Sequence, residues 1–142
     1  MKVKIHINTE YKKTAPEISI RCKSKKQEYT LTKKENIIEC NFDIHNSDTL
    51  QVYFLNKDDQ DNNVIEIKKL YIDGIDLQHF IYECEFTPIY NQNWYNLQIT
   101  NPPSVYKPGT EMRHNGIWSL PITLPIWKMM MDNWITDDKR TT

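Results

Sequence analysis

The sequence predicts an all-β protein, an antiparallel β-sandwich of jelly-roll type with one short C-terminal helix. Three observations predict it. Apolar residues recur at every second position through most of the chain, as in Val3, Ile5, Ile7 and again in Leu50, Val52, Phe54. Turn-forming dipeptides such as Asp73-Gly74 and Asn115-Gly116 punctuate these runs. A period of three to four appears only once, after Pro125. Period two places alternate side chains on opposite faces of a strand, so each run offers one dry and one wet face. At 142 residues one core suffices. The expected domain is 1–136, followed by a polar tail at 137–142.

Val3, Ile5 and Ile7 alternate with Lys2, Lys4 and His6 in a first strand. Ile18, Ile20 and Cys22 then alternate with Ser19, Arg21 and Lys23, and a charged turn at 23–27 leads to Tyr29 and Leu31, giving a hairpin. Ile38, Cys40, Phe42 and Ile44 face inward in turn, and "HNSD" joins them to Leu50, Val52 and Phe54 as a further expected hairpin.

The stretch Ile65 to Tyr82 is expected to be the central ribbon. Ile65 and Ile67 alternate, then Leu70 and Ile72 resume one residue out of step, as an extra residue at Lys68 or Lys69 would produce through a β-bulge. Asp-Gly suits the positive φ angles of a two-residue hairpin turn, with Ile75 and Leu77 starting a return strand that continues to Phe86. A single bent strand crossing Gly74 is the alternative.

Before this ribbon lies the oxygen-rich loop "NKDDQDNN". Asp59, Asp61 and Asn63 have the spacing of an EF-hand start, but Val64 stands where glycine is required and Leu70 where the bidentate acid belongs, which excludes that motif. A looser calcium site formed by several loops stays open beside a plain solvated turn. No other metal or cofactor is expected.

After the ribbon, "TPIYNQNWYNLQITNPPSVYKPGTE" is a long irregular segment, of the kind that is either functional or a covering flap. Pro108-Gly109 suits a type II turn, and Asn115-Gly116 a second hairpin. In the strand that follows, Trp118, Leu120, Ile122, Leu124 and Ile126 form an apolar file, while Pro121 and Pro125 remove donors from one side and predict a free edge there. Trp127, Met130, Met131, Trp134 and Ile135 have helical spacing. That stripe either packs on the core or presents Trp127, Met130, Met131 and Trp134 as an interface, since Met-rich aromatic faces adapt to partners.

Composition excludes several functions. The 18 basic and 19 acidic residues nearly cancel, so nothing favours a nucleic-acid or anionic-membrane partner. No run approaches the roughly 18 apolar residues that span a bilayer, and the N-terminus lacks an apolar signal core, which points to synthesis in the cytoplasm. Cys22, Cys40 and Cys84 are odd in number and lack metal-binding spacing, so buried thiols in strands are expected. The three glycines and four scattered histidines form no catalytic or phosphate-binding motif, and no enzyme is predicted.

What stands out is the aromatic load outside the regular runs. Tyr90, Trp94, Tyr95 and Tyr106, with Trp118 beside the Asn-Gly turn, are the candidate ligand-binding residues. Flat rings on a β scaffold stack on the C–H faces of sugars, and nearby amides bond the hydroxyls. The same rings also suit a minor core beneath the long loop.

The series "LYIDGIDL", "TPIY" followed by Trp94, and "HNGIWSLPITLPIWKMMM" resembles a group of small uncharacterised proteins of tailed phages, especially those of aquatic bacteria. The overall pattern is also similar to carbohydrate-binding modules of the calcium-dependent, xylan-binding type, although the chain departs from them in lacking a clear acidic ligand set. The resemblance covers about Val64 to Trp134 and implies a non-enzymatic β-sandwich. Two roles follow from it. The first is a virion component, capsid-decorating or tail-associated, bound to other virion proteins in an oligomer or assembly. The second is a module binding cell-surface glycans on its aromatic platform.

Overall fold

A computed structural model describes residues 1–44, 46–57, 61–129 and 131. In chain order the strands are β1 (Lys2–Glu10), β2 (Glu17–Cys22), β3 (Lys25–Thr30), β4 (Glu35–Asn41), β5 (Asp48–Phe54), β6 (Val64–Ile72), β7 (Ile75–Asp76), β8 (Glu85–Pro88), β9 (Glu111–Met112) and β10 (Gly116–Ile122). They form two antiparallel sheets. One has the order β4-β1-β6-β7, with β9 also on β6; the other runs β3-β2-β5-β10-β8. The inward residues of the period-two runs meet between them, Val3, Ile5, Ile7, Ile65, Leu70 and Ile72 from the first sheet and Ile20, Leu50, Val52, Phe54, Trp118 and Leu120 from the second, all fully buried. This is the expected all-β sandwich.

The ribbon behaves largely as its sequence predicts. β6 lies between β1 and the pair β7/β9, and its partner shifts from Lys69 opposite His6 to Ile67 opposite Ile7. Lys68 is therefore the extra residue of a bulge, which lets both Ile67 and Leu70 face the core. Asp73 and Gly74 take φ of 50° and 80°, as a tight two-residue hairpin turn needs. A Cβ at Gly74 would touch nothing within 4 Å, so the glycine serves its φ and not space. The β2–β3 hairpin is also present, with Lys23 at φ 54°.

Several expectations need correction. The return strand stops at Asp76, because the Asp76 carboxylate accepts from the Gln78 N–H at 2.8 Å and turns the chain into a 3-10 turn at Ile81–Glu83. Cys84 consequently sits outside a strand, though all three thiols are buried and free. β4 and β5 belong to different sheets, so "HNSD" marks a crossing and not a hairpin; His45 within it lies outside the described residues.

Asn115-Gly116 likewise joins β9 of one sheet to β10 of the other. The glycine is needed for close approach, since a Cβ there would collide with the Thr87 carbonyl and come within 2.7 Å of the Phe86 ring. Gly109 has no positive φ, so Pro108-Gly109 forms no type II turn; a Cβ on it would strike the Phe86 backbone. Finally, β10 is flanked by β5 and β8 over Gly116–Ser119 and is open on one side only beyond Ser119, where Pro121 falls.

Residues 126–129 and 131 are helical. Ile126 and Met129 are the buried pair, whereas Trp127 and Met131 are 58% and 48% exposed. The apolar stripe is thus turned away from the core at Trp127 and Met131. Met130, Trp134, Ile135 and the tail 137–142 lie outside the described residues.

Candidate functional site

Between β8 and β9, residues 89–110 contain a single helical turn, α1 (Gln92–Asn96). Its start is set by Asn91, whose side-chain oxygen accepts from the Trp94 N–H at 3.1 Å. Tyr90 precedes this cap, outside the helical turn, and the extended backbone at Asn91 brings its ring back onto that of Trp94. Their rings stack 5.2 Å apart at 17°.

The segment is stitched down by its own polar groups. Phe86 and Tyr106 exchange backbone hydrogen bonds at 3.0 and 2.9 Å, and the Gly109 N–H reaches the Cys84 carbonyl at 3.1 Å. The Tyr90 hydroxyl donates to the Pro103 carbonyl at 2.5 Å and lies 3.3 Å from the Tyr106 hydroxyl. Burial and this tyrosine neighbour push the Tyr90 hydroxyl well above the ordinary range, so it remains a neutral donor.

A fourth ring completes the cluster. His114, from the link between β9 and β10, lies 4.6 Å from Trp94 and 4.9 Å from Tyr90. It is brought there because the Ile89 N–H donates to the Asn115 carbonyl at 2.7 Å. Burial, then the charges of Lys57 and Arg113, lower the His114 pKa and favour the neutral imidazole. Trp94 keeps 36% of its surface exposed.

Trp94, Tyr90 and His114 line one wall of an open groove of about 1250 Å³. Neutral amides of Asn8, Asn62 and Asn93 also line it, together with charged side chains. Two of those charges are neutralised locally, Lys68 by Glu66 at 3.0 Å and Arg113 by Glu111 at 2.5 Å. A groove with an aromatic wall and amide donors and acceptors suits an uncharged, hydroxyl-rich ligand.

Of the five predicted binding residues, Tyr90, Trp94 and Tyr95 are brought together, with Tyr95 5.8 Å from Tyr90. Tyr95 faces Asn101, its hydroxyl 3.5 Å from that amide oxygen. Tyr106 stands behind the platform, its hydroxyl against Tyr90 and its ring stacked 6.2 Å from Phe86. Trp118 is not part of it. That ring is fully buried in the core, as its place in the file with Leu120 and Ile122 requires. His114 and Asn115 were missed, and their signal was a histidine and an amide at a strand link beside the aromatic loop.

The oxygen-rich loop supplies a second, polar part of the rim. The Asp61 carboxylate is buried and accepts from the backbone N–H groups of Lys12 at 3.0 Å, Lys13 at 2.9 Å and Thr14 at 3.0 Å. These bonds, led by Thr14, hold its pKa below the ordinary carboxylate value, against the opposing effect of burial. Lys57 Nζ donates to the Asp61 carbonyl at 2.7 Å and to Asn63 Oδ1 at 3.3 Å. Among the described residues no three His, Cys, Asp or Glu side chains converge as a metal cage. Asp59 lies outside those residues.

No family model matches the chain, and no curated protein matches it. Solved structures do share its fold. That of vCBM60 in complex with galactobiose superposes with a TM-score of 0.59 at 13% identity, over 85% of this chain and 98% of that one. The SeMet form of vCBM60, described with circular permutation as an evolutionary link between two families of calcium-dependent carbohydrate-binding modules, gives 0.57 at 14% identity, over 84% and 90%. The chain therefore has the β-sandwich fold of these carbohydrate-binding modules.

Proposed function

We propose that the chain is a non-catalytic glycan-binding module. A sugar in the groove would lay its C–H face on the exposed part of Trp94, with Tyr90 and His114 fixing the indole from behind and beside, and neighbouring amides bonding its hydroxyls. The observation that carries this reading is Trp94 itself, held between the rings of Tyr90 and His114 and yet open to the groove. Packing alone would favour covering the whole indole, whereas a sugar platform requires part of it to stay open to the groove. The fold shared with vCBM60 supports the same reading. The test is a glycan array probed with the wild type and with Trp94→Ala; retention of signal by the variant, or a blank wild-type array, overturns it.

Among the described residues, the polar rim does not fit the calcium that the calcium-dependent modules of this fold imply. Calcium takes about six to eight oxygen ligands at close range. The carboxylate and amide oxygens of Asp61 and Asn63 already accept hydrogen bonds from backbone N–H groups and from an ammonium.

A second role is supported by Trp127 and Met131, whose exposure on the C-terminal helix suits docking to a protein assembly such as a phage particle. Mass spectrometry of purified virions would detect the chain if that role holds. The two roles are compatible, because particle-bound copies would bind sugars multivalently.

A further inference from the structure

Part of the groove rim is built around one ammonium group. Lys57 Nζ collects the Asp61 carbonyl and the Asn63 amide oxygen, while the Lys57 backbone N–H donates to Asn115 Oδ1 at 2.7 Å, next to the platform histidine. Asn63 is buried, and its own amide nitrogen reaches the Thr14 carbonyl at 3.4 Å. Thr9 joins the same corner by donating from Oγ1 to the Val64 carbonyl at 2.9 Å. Carbonyl and amide oxygens from one loop thus turn toward a single positive charge, which is how a loop-borne cation site is organised. The charge is covalently tethered, so its position carries no cost of recruiting an ion from solution.

We infer that Lys57 acts as an internal cation in place of a bound metal ion, fixing the Asp61–Asn63 stretch against Asn115 so that the groove keeps its shape without calcium. The inference rests on the glycan reading only for what the groove holds; the organising role of Lys57 stands on the bonds around it. A dication brought to the same oxygens would lie beside the ammonium, and like charges at that range repel. The lowered pKa of His114, to which the Lys57 charge contributes, agrees with an ammonium standing near the platform.

The experiment is thermal melting of the full chain in millimolar calcium and in EDTA, paired with equilibrium dialysis against calcium, for the wild type, Lys57→Met and Lys57→Arg. The wild type should melt at the same temperature in both and retain no calcium. Lys57→Met should melt about 3–6 °C lower, with Lys57→Arg recovering part of the loss. Calcium retained at one ion per chain with a rise in Tm overturns the inference, as does a Lys57→Met protein that melts like the wild type. Should Lys57→Met fail to fold, the wild-type calcium comparison still decides. A blank glycan array would leave these melting results untouched, so failure of the glycan reading is told apart from failure of this one.

Discussion

Tyr90 lies nearly parallel to Trp94, 5.2 Å away and tilted by 17°. One face of the indole is thereby occupied, and a ligand has only the remaining exposed part to use. Trp94→Ala should therefore lower glycan affinity at least tenfold, about 1.4 kcal/mol. Tm should hardly change, since the ring is not part of the core. Isothermal titration and a melting curve on the same preparation check both halves.

Trp118 separates core from platform. Replacing this fully buried ring by alanine should cost about 3–5 kcal/mol of stability. Trp118→Phe should lower the urea midpoint and leave glycan affinity as in the wild type.

Asp61 makes stability depend on acid pH. Its folded pKa is lowered from 3.8, so its contribution is whole above that value and is lost as pH falls through the lower folded value. Wild-type Tm should fall below about pH 4 more steeply than that of Asp61→Asn, whose amide does not titrate. Equal slopes would remove Asp61 from the acid transition.

His114 works in a higher window. Its folded pKa lies below 6.5, because burial and then the charges of Lys57 and Arg113 disfavour the imidazolium. The neutral ring's contribution is full above 6.5 and is lost as pH drops toward the folded value. Since the ring lies against Trp94, indole fluorescence should change with a midpoint below 6.5, and the change should vanish in His114→Gln.

Gly116 should tolerate no side chain. A Cβ would press into the Phe86 ring and the Thr87 carbonyl, so Gly116→Ala should cost about 2 kcal/mol or more by chemical denaturation.

Alternation along Val3–Ile7 and the phase slip at Lys68 were legible because inward pointing is a local property of each strand. The partner of a strand is not. Ile38 to Ile44 and Leu50 to Phe54 alternate identically whether the two runs pair edge to edge or face each other across the core, and they belong to opposite sheets. The same ambiguity turned Asn115-Gly116 into an expected hairpin. In the site, the spacing of Tyr90, Trp94 and Tyr95 was visible locally, whereas His114 joins them only through the Ile89–Asn115 bond across the fold. Trp118 shows two local signals in competition, and the apolar file outweighed proximity to a turn.

Among the described strands only two consecutive pairs, β2–β3 and β6–β7, share a sheet; every other link between them passes from one sheet to the other. Lys34, Lys57, Tyr90 and His114 all reach the groove from such links. The strand residues of the groove, Asn8, Glu10, Glu66, Lys68 and Glu111, all belong to one sheet, so a bound ligand would tie these links to that sheet's outer face, and amide exchange in the links should slow with occupancy.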